Sequence, residues 1–153
     1  MSINETKNNG EKISFYELLQ KSEVSKIIIP IIQRDYAQGR EDNHVISEIR
    51  SKFVGSLKDA ITRDEAITLD CVYGFIDAEK CFIPIDGQQR LTTLFLLHWY
   101  TTISAGLLDE SNAKLLGKFT YQVRDSAKEF CESMTNVSHN LDFIDKSPSD
   151  SIK

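Results

Sequence analysis

Between residues 83 and 94 the chain reads Ile-Pro-Ile-Asp-Gly-Gln-Gln-Arg-Leu-Thr-Thr-Leu. An apolar, strand-like run gives way to a glycine, and a long apolar run follows it. That order predicts a strand, a sharp turn at Gly87 and a helix start. The N–H groups of a helix's first turn have no partners within the helix, which makes them an anion site. Arg90, in that first turn, adds a fork of donors suited to phosphate. Asp86 can hold a metal-bound water, a ribose hydroxyl or the loop itself. Gln88 and Gln89 offer donors and acceptors near a reacting group. The same residues also have a local reading, with Asp86 as helix N-cap, Gly87 as turn residue and the glutamines as solvated first-turn positions. Two amides and an arginine wedged between apolar elements weigh against it, because polar groups are costly to bury without partners.

Two more polar clusters stand at element boundaries. Gln33, Arg34, Tyr36, Gln38 and Arg40 gather after an apolar run that Pro30 interrupts. Arginine, tyrosine and glutamine together can grip phosphate, stack on a base and read its edge. A strand end with a solvated turn is the alternative. In Tyr121–Ser126, Arg124 can reach a phosphate or pair with Asp125, while Ser126 with Glu129 fits a helix-starting capping box. His44, His98 and His139 share no metal-ligand spacing, and His98 reads as a satisfied core histidine. No Gly-rich phosphate loop ending in Lys-Ser/Thr occurs.

The elements that must position these residues follow from apolar periodicity. Residues 1–12 are polar and read as a disordered lead-in. Ser14 caps a short helix carrying Phe15, Leu18 and Leu19. Lys26–Ile29 reads as a buried strand, broken or placed at an edge by Pro30. A helix is expected from about Asp42 to Ile61, with Val45, Ile49, Phe53, Leu57 and Ile61 recurring every four residues and Ile46 and Ala60 beside them as one apolar face. Leu69–Ile76 and Cys81–Ile85 form a hairpin through Asp77–Lys80. Leu91 to about Ser104 is the strongest helix, apolar nearly all round and therefore expected to be central. A helical turn at Asn112–Leu116, a strand at Lys118–Val123 and a helix at Ser126–Met134 complete the order. The tail 136–153 is polar, with no obvious packing partner.

The bulk composition narrows the class. A charge of −5, from 18 Lys+Arg against 23 Asp+Glu, argues against a generally basic nucleic-acid binder but not against a local basic groove. Cys71, Cys81 and Cys131 form no C-x-x-C pair and read as buried free thiols. No apolar stretch is long and clean enough to span a bilayer. The start lacks the apolar core of a signal peptide, so a reducing, cytoplasmic setting is expected.

At these residues the sequence resembles the N-terminal domain of GmrSD-type restriction proteins. The resemblance rests on Ile-Pro-x-x-Gln-Arg-x-Tyr, the amphipathic helix, Val72-Tyr73-Gly74-Phe75-Ile76, then Ile-Asp-Gly-Gln-Gln-Arg-Leu-Thr-Thr-Leu. Lys118–Ser126 with Glu129-Phe130-Cys131 is also similar, so about residues 13–134 are covered. The resemblance implies an α/β fold of the ParB/sulfiredoxin type, with a small mixed sheet and surrounding helices. It implies NTP binding and hydrolysis, with Mg2+, coupled to restriction of modified foreign DNA. By the motif, Asp86, Gln89 and Arg90 would be catalytic, Asp86 also touching the metal. Gly87, Gln88, Gln33, Arg34 and Arg124 would bind nucleotide, and Tyr36, Gln38 and Arg40 would sense DNA modification. Ile32 stands where an aromatic often precedes the Gln-Arg pair, and Gln38 where a Trp often follows.

The expected layout is a lead-in at 1–12, the ParB-like domain at 13–135 and the start of a further region at 136–153. A nuclease domain of H-N-H type would lie in cis beyond the chain or in a separate subunit. The chain is thus expected to be a fragment that carries at most the NTPase part. The alternatives are a DNA-binding or modification-sensing module without turnover, and an inactive remnant.

Overall fold

The computed structural model describes residues 10–30, 44–122 and 125–136. The chain order is α1 (Phe15–Gln20), β1 (Lys26–Ile29), α2 (His44–Arg63), β2 (Tyr73–Ile76), β3 (Cys81–Asp86), α3 (Gln88–Ser104), α4 (Glu110–Leu116), β4 (Phe119–Tyr121) and α5 (Asp125–Met134). The four strands form one mixed sheet in the order β2-β3-β1-β4. β1 runs parallel to both β3 and β4, and β2 is antiparallel to β3. The fold is therefore α/β with a small mixed sheet.

Local chemistry accounts for the shorter elements. The Ser14 hydroxyl accepts from the Glu17 amide at 3.1 Å, and the Glu17 carboxylate accepts from the Ser14 amide at 2.7 Å. That reciprocal box starts α1. In the β2–β3 hairpin the Asp77 carboxylate accepts from the amides of Glu79 and Cys81, which closes the turn. β2 is shorter than the expected Leu69–Ile76, and its ladder carries a bulge between Tyr73 and Gly74. Pro84 lies opposite, and a strand proline is tolerated at such an irregularity. A Cβ on Gly74 would fall 2.2 Å from the Ile83 carbonyl oxygen, so only glycine fits this approach. β1 is an interior strand, so Pro30 ends it rather than marking an edge.

The core lies on one face of the sheet. Ile27 and Ile29 of β1 and Phe119 of β4 pack with Leu91 and Phe95 of α3, Phe15 and Leu19 of α1, Leu116 of α4, and Cys131 and Met134 of α5. The rings of Phe95 and Phe119 stack at 4.6 Å. His98 is half-buried as expected, with Nδ1 2.8 Å from the Leu94 carbonyl. A carbonyl only accepts, so Nδ1 carries the proton.

Several expectations need correction. α3 starts at Gln88, three residues before Leu91, and it is not buried all round, since Tyr100 is 64% exposed. α5 starts at Asp125, so Ser126 lies inside its first turn and not at the cap. Cys71 is exposed, although Cys81 and Cys131 are buried. In α2, Val45, Ile49 and Ile61 are exposed and only Leu57 is buried. The cause is geometric. A helix turns about 100° per residue, so a row taken every four residues drifts about 40° at each step. From 45 to 61 it winds nearly half-way round. The sheltered face runs through Ile46, Arg50, Phe53, Leu57 and Ala60 instead.

Candidate functional site

β3 ends at Asp86, and Gly87 turns the chain with φ +85, a left-handed conformation. A Cβ there would also sit 2.5 Å from Val72. Glycine is thus required twice, by the backbone and by its neighbour. Gly87 is the N-cap of α3 and, having no side chain, contributes no side-chain cap. The expected cap, Asp86, is instead the last residue of the strand. Its carboxylate faces Arg90 one turn on, with Nη2 at 3.2 Å.

Arg90 is held by more than Asp86. Its Nη2 donates to the Cys71 carbonyl at 2.7 Å, and its Nη1 lies 3.6 Å from the Asp70 carboxylate. These contacts fasten the segment before β2 to the first turn of α3. The two carboxylates are exposed, and such ion pairs contribute only about 0–1 kcal/mol each. The carbonyl contact is the firmer one. Arg90 Nε is buried and has no hydrogen-bond partner among the described residues. That leaves a donor with affinity for a further acceptor.

Gln88 is buried, and its amide nitrogen donates to the Pro84 carbonyl at 2.8 Å. The expected solvated glutamine is therefore a brace between helix and strand. Gln89 is half-buried, and its carbonyl accepts from the Thr93 hydroxyl at 2.9 Å. Thr92 meets the Tyr121 hydroxyl at 3.0 Å, tying α3 to β4.

The structure thus brings Asp86, Gly87, Gln88, Gln89 and Arg90 together, with Asp86 and Arg90 in contact. Gln33, Arg34, Tyr36, Gln38, Arg40 and Arg124 lie outside the described residues. What is described is where their segments attach. Parallel β1, β3 and β4 end at one edge of the sheet. The chain leaves the described residues just beyond Pro30, after β1, and just beyond Gln122, after β4. Gly87 and the first turn of α3 stand at that edge. Ligands of open α/β sheets bind outside the carboxyl ends of their strands.

Sequence reading missed Asp70, Cys71 and Val72. They precede β2 by a few residues and meet the motif only through the fold, so no local signal marks them. Among the described residues no cluster of three or more His, Cys, Asp or Glu side chains is placed to hold a metal by itself. A cavity of about 240 Å³ lies between β1, β4 and α5; no residue of Asp86–Arg90 lines it, whereas Phe119–Gln122 and Cys131 do. Cys131, on its wall, has its thiol pushed up to about 12 by burial and by the charge of Glu132. It is therefore protonated and a poor nucleophile at neutral pH. No helix among the described residues is long and apolar enough to cross a membrane.

The profile described as GmrSD restriction endonuclease, N-terminal domain, matches residues 15–151. The match covers far more than half of the chain, and the chain belongs to that family. No curated protein and no solved structure gives a significant match.

Proposed function

We propose that this member of the GmrSD family binds a nucleoside triphosphate at the edge formed by Asp86–Arg90, and that NTP hydrolysis there serves a restriction system acting on modified or foreign DNA. The observation that carries this reading is the left-handed turn at Gly87. It sets the first-turn amides of a 17-residue helix at the carboxyl ends of three parallel strands. Those amides supply donors for phosphate oxygens. Arg90 adds a guanidinium whose buried Nε has no acceptor among the described residues. Gln33, Arg34 and Arg124, which follow the ends of β1 and β4 in the chain, would complete the pocket. Tyr36, Gln38 and Arg40 would then read the DNA.

Mg2+ fits this donor set as a companion of the nucleotide. It is usually held by one or two carboxylates, with phosphate and water oxygens supplying the rest. Asp86 and, beside it, Asp70 are the two carboxylates at Arg90. The metal would neutralise charge on the phosphates. Arg90 would steady charge developing on the transferred group, and Asp86 would orient the metal's water shell.

The deciding experiment is a titration of the chain with a fluorescent NTP in the presence of Mg2+. We expect saturable binding, weakened at least tenfold by Asp86→Asn, a nearly isosteric change that removes one charge. Unchanged affinity and turnover in Asp86→Asn and Arg90→Lys would sink the assignment.

One observation favours a second reading, a DNA-sensing module without turnover. Gln88 and Arg90 already spend hydrogen bonds on the Pro84 and Cys71 carbonyls. Their first duty is then to shape the edge. Salt-dependent DNA binding that ignores NTP would support this reading over the first.

A further inference from the structure

The nitrogens of the Arg90 guanidinium are engaged unequally. Nη2 donates to the Cys71 carbonyl at 2.7 Å and to the Asp86 carboxylate at 3.2 Å. Nε is buried and has no partner among the described residues. Nη1 donates no hydrogen bond among the described residues. It faces the Asp70 carboxylate at 3.6 Å, which is an ion pair but too long for a hydrogen bond. Nη1 is therefore the end of Arg90 open to an incoming oxygen, and Asp70 stands in front of it.

The two carboxylates at Arg90 are held differently. Asp86 ends β3 and is tied to Nη2. Asp70 belongs to neither helix nor strand, and its side chain is 91% exposed. The backbone beside it is fixed, because the Cys71 carbonyl is fastened to Arg90 and Val72 packs over Gly87 and against the core. Asp70 is thus a short arm on an anchored post. It can turn away from Nη1 at little cost, since exposed ion pairs are weak.

We propose that Asp70 is a resident counter-ion of Arg90 that makes anion binding at this edge depend on a divalent cation. The proposal rests on the nucleotide reading above and adds selectivity to it. Two carboxylates against one guanidinium give the trio of side chains a net negative charge. A bare polyphosphate reaches Nη1 only by displacing Asp70 and against its charge. When the polyphosphate carries Mg2+, the same carboxylate faces a cation and attracts the complex, because a bound cation inverts the local charge logic. The edge therefore favours metal-complexed polyphosphate over free phosphate. A helix start with an unopposed arginine would accept both.

The test is calorimetric titration of the full chain with inorganic tripolyphosphate, once in EDTA and once in excess Mg2+. In EDTA, Asp70→Asn is expected to bind about fivefold tighter than the parent, the upper end of what one exposed ion pair is worth. In Mg2+ that gain disappears or reverses, so the affinity ratio between the two conditions falls by about fivefold or more. Asp70→Glu keeps the charge and should keep the parent's ratio. Glu79→Gln, in the turn at the far end of the β2–β3 hairpin, removes an equal charge and should leave the ratio unchanged. If the parent binds and Asp70→Asn shows the same ratio, the proposal is overturned while the anion site stands. A Glu79→Gln change as large as that of Asp70→Asn also overturns it, since net charge alone would then explain both. If none of the proteins binds tripolyphosphate in either condition, the anion site itself fails and the proposal with it.

Discussion

α3 and α2 are the two long helices of the molecule, of 17 and 20 residues, and both carry apolar residues at helical spacing. Among the described residues, α3 is anchored at many points. It buries Leu91, Phe95 and Ile103. It also makes long-range hydrogen bonds at three levels: Arg90 to the Cys71 carbonyl, Thr92 to Tyr121, and Trp99 to the Met134 carbonyl at 2.7 Å. α2 buries Leu57 alone. The difference teaches that apolar spacing makes a helix, whereas burial needs a face that stays aligned with the sheet. It also explains why the candidate site sits on α3, since a site is positioned best by an element fixed at many points.

The largest test of this contrast is Phe95→Ala. Phe95 is 1% exposed and stacked on Phe119. Deleting such a ring costs about 3–5 kcal/mol. Urea unfolding should show the midpoint fall steeply, and a loss under about 1 kcal/mol would mean that α3 is not the organising helix.

Gly87→Ala comes next. A left-handed conformation costs a residue with a Cβ about 1–2 kcal/mol. The approach to Val72 adds a steric share, so we expect about 2–4 kcal/mol in all. The two shares can be separated. Val72→Ala should relieve the contact but not the dihedral cost. A double-mutant cycle should therefore give a coupling of about 1 kcal/mol between positions 72 and 87. No coupling would show that the loop before β2 does not press on the turn.

Much of this was legible in the sequence, and what was hidden has physical causes. Glycine between a strand and an apolar helix marks the turn at Gly87, because few other residues can make it. Ser14 followed by Glu17 marks α1, because the box is closed within four residues. The N-terminal brace was not legible. Gln88 looks solvated by type, and only the approach of the Pro84 carbonyl explains its burial. The clasp from Arg90 to Cys71 joins residues 19 apart in the chain, and no local pattern encodes it. The α2 face failed for a different reason, since a four-residue row is not a helix face over five turns.

The third test uses pH and concerns α1, which packs on α3. The Glu17 carboxyl is lowered from its ordinary value, chiefly by the Ser14 amide and then by its hydroxyl. A lowered folded value means that the contribution is complete above the ordinary range of a free glutamate. It is lost as pH falls through the folded value. Glu17→Gln, which removes the titrating group, should therefore flatten the fall in stability on the acid side of the profile and leave its slope above neutrality unchanged. An identical acid limb in both proteins would remove the capping box from the account of how α3 is held.

The smallest effect is expected where the contrast is sharpest. Val45, Ile49 and Ile61 are 64%, 54% and 63% exposed. Replacing Ile49 or Ile61 by glutamate removes no buried contact, and a surface change of this kind stays within about 0.5 kcal/mol. Glutamate also has a helix propensity at least equal to that of isoleucine. Leu57→Ala, on the same helix, removes its one buried side chain and should cost about 2 kcal/mol or more. The pair of measurements is what matters. If Ile61→Glu is as damaging as Leu57→Ala, the face read from exposure is wrong and the four-residue row is covered after all. If only Leu57→Ala is felt, α2 is held through a narrow seam. The candidate edge would then be built on α3 and the strand ends without depending on where α2 lies.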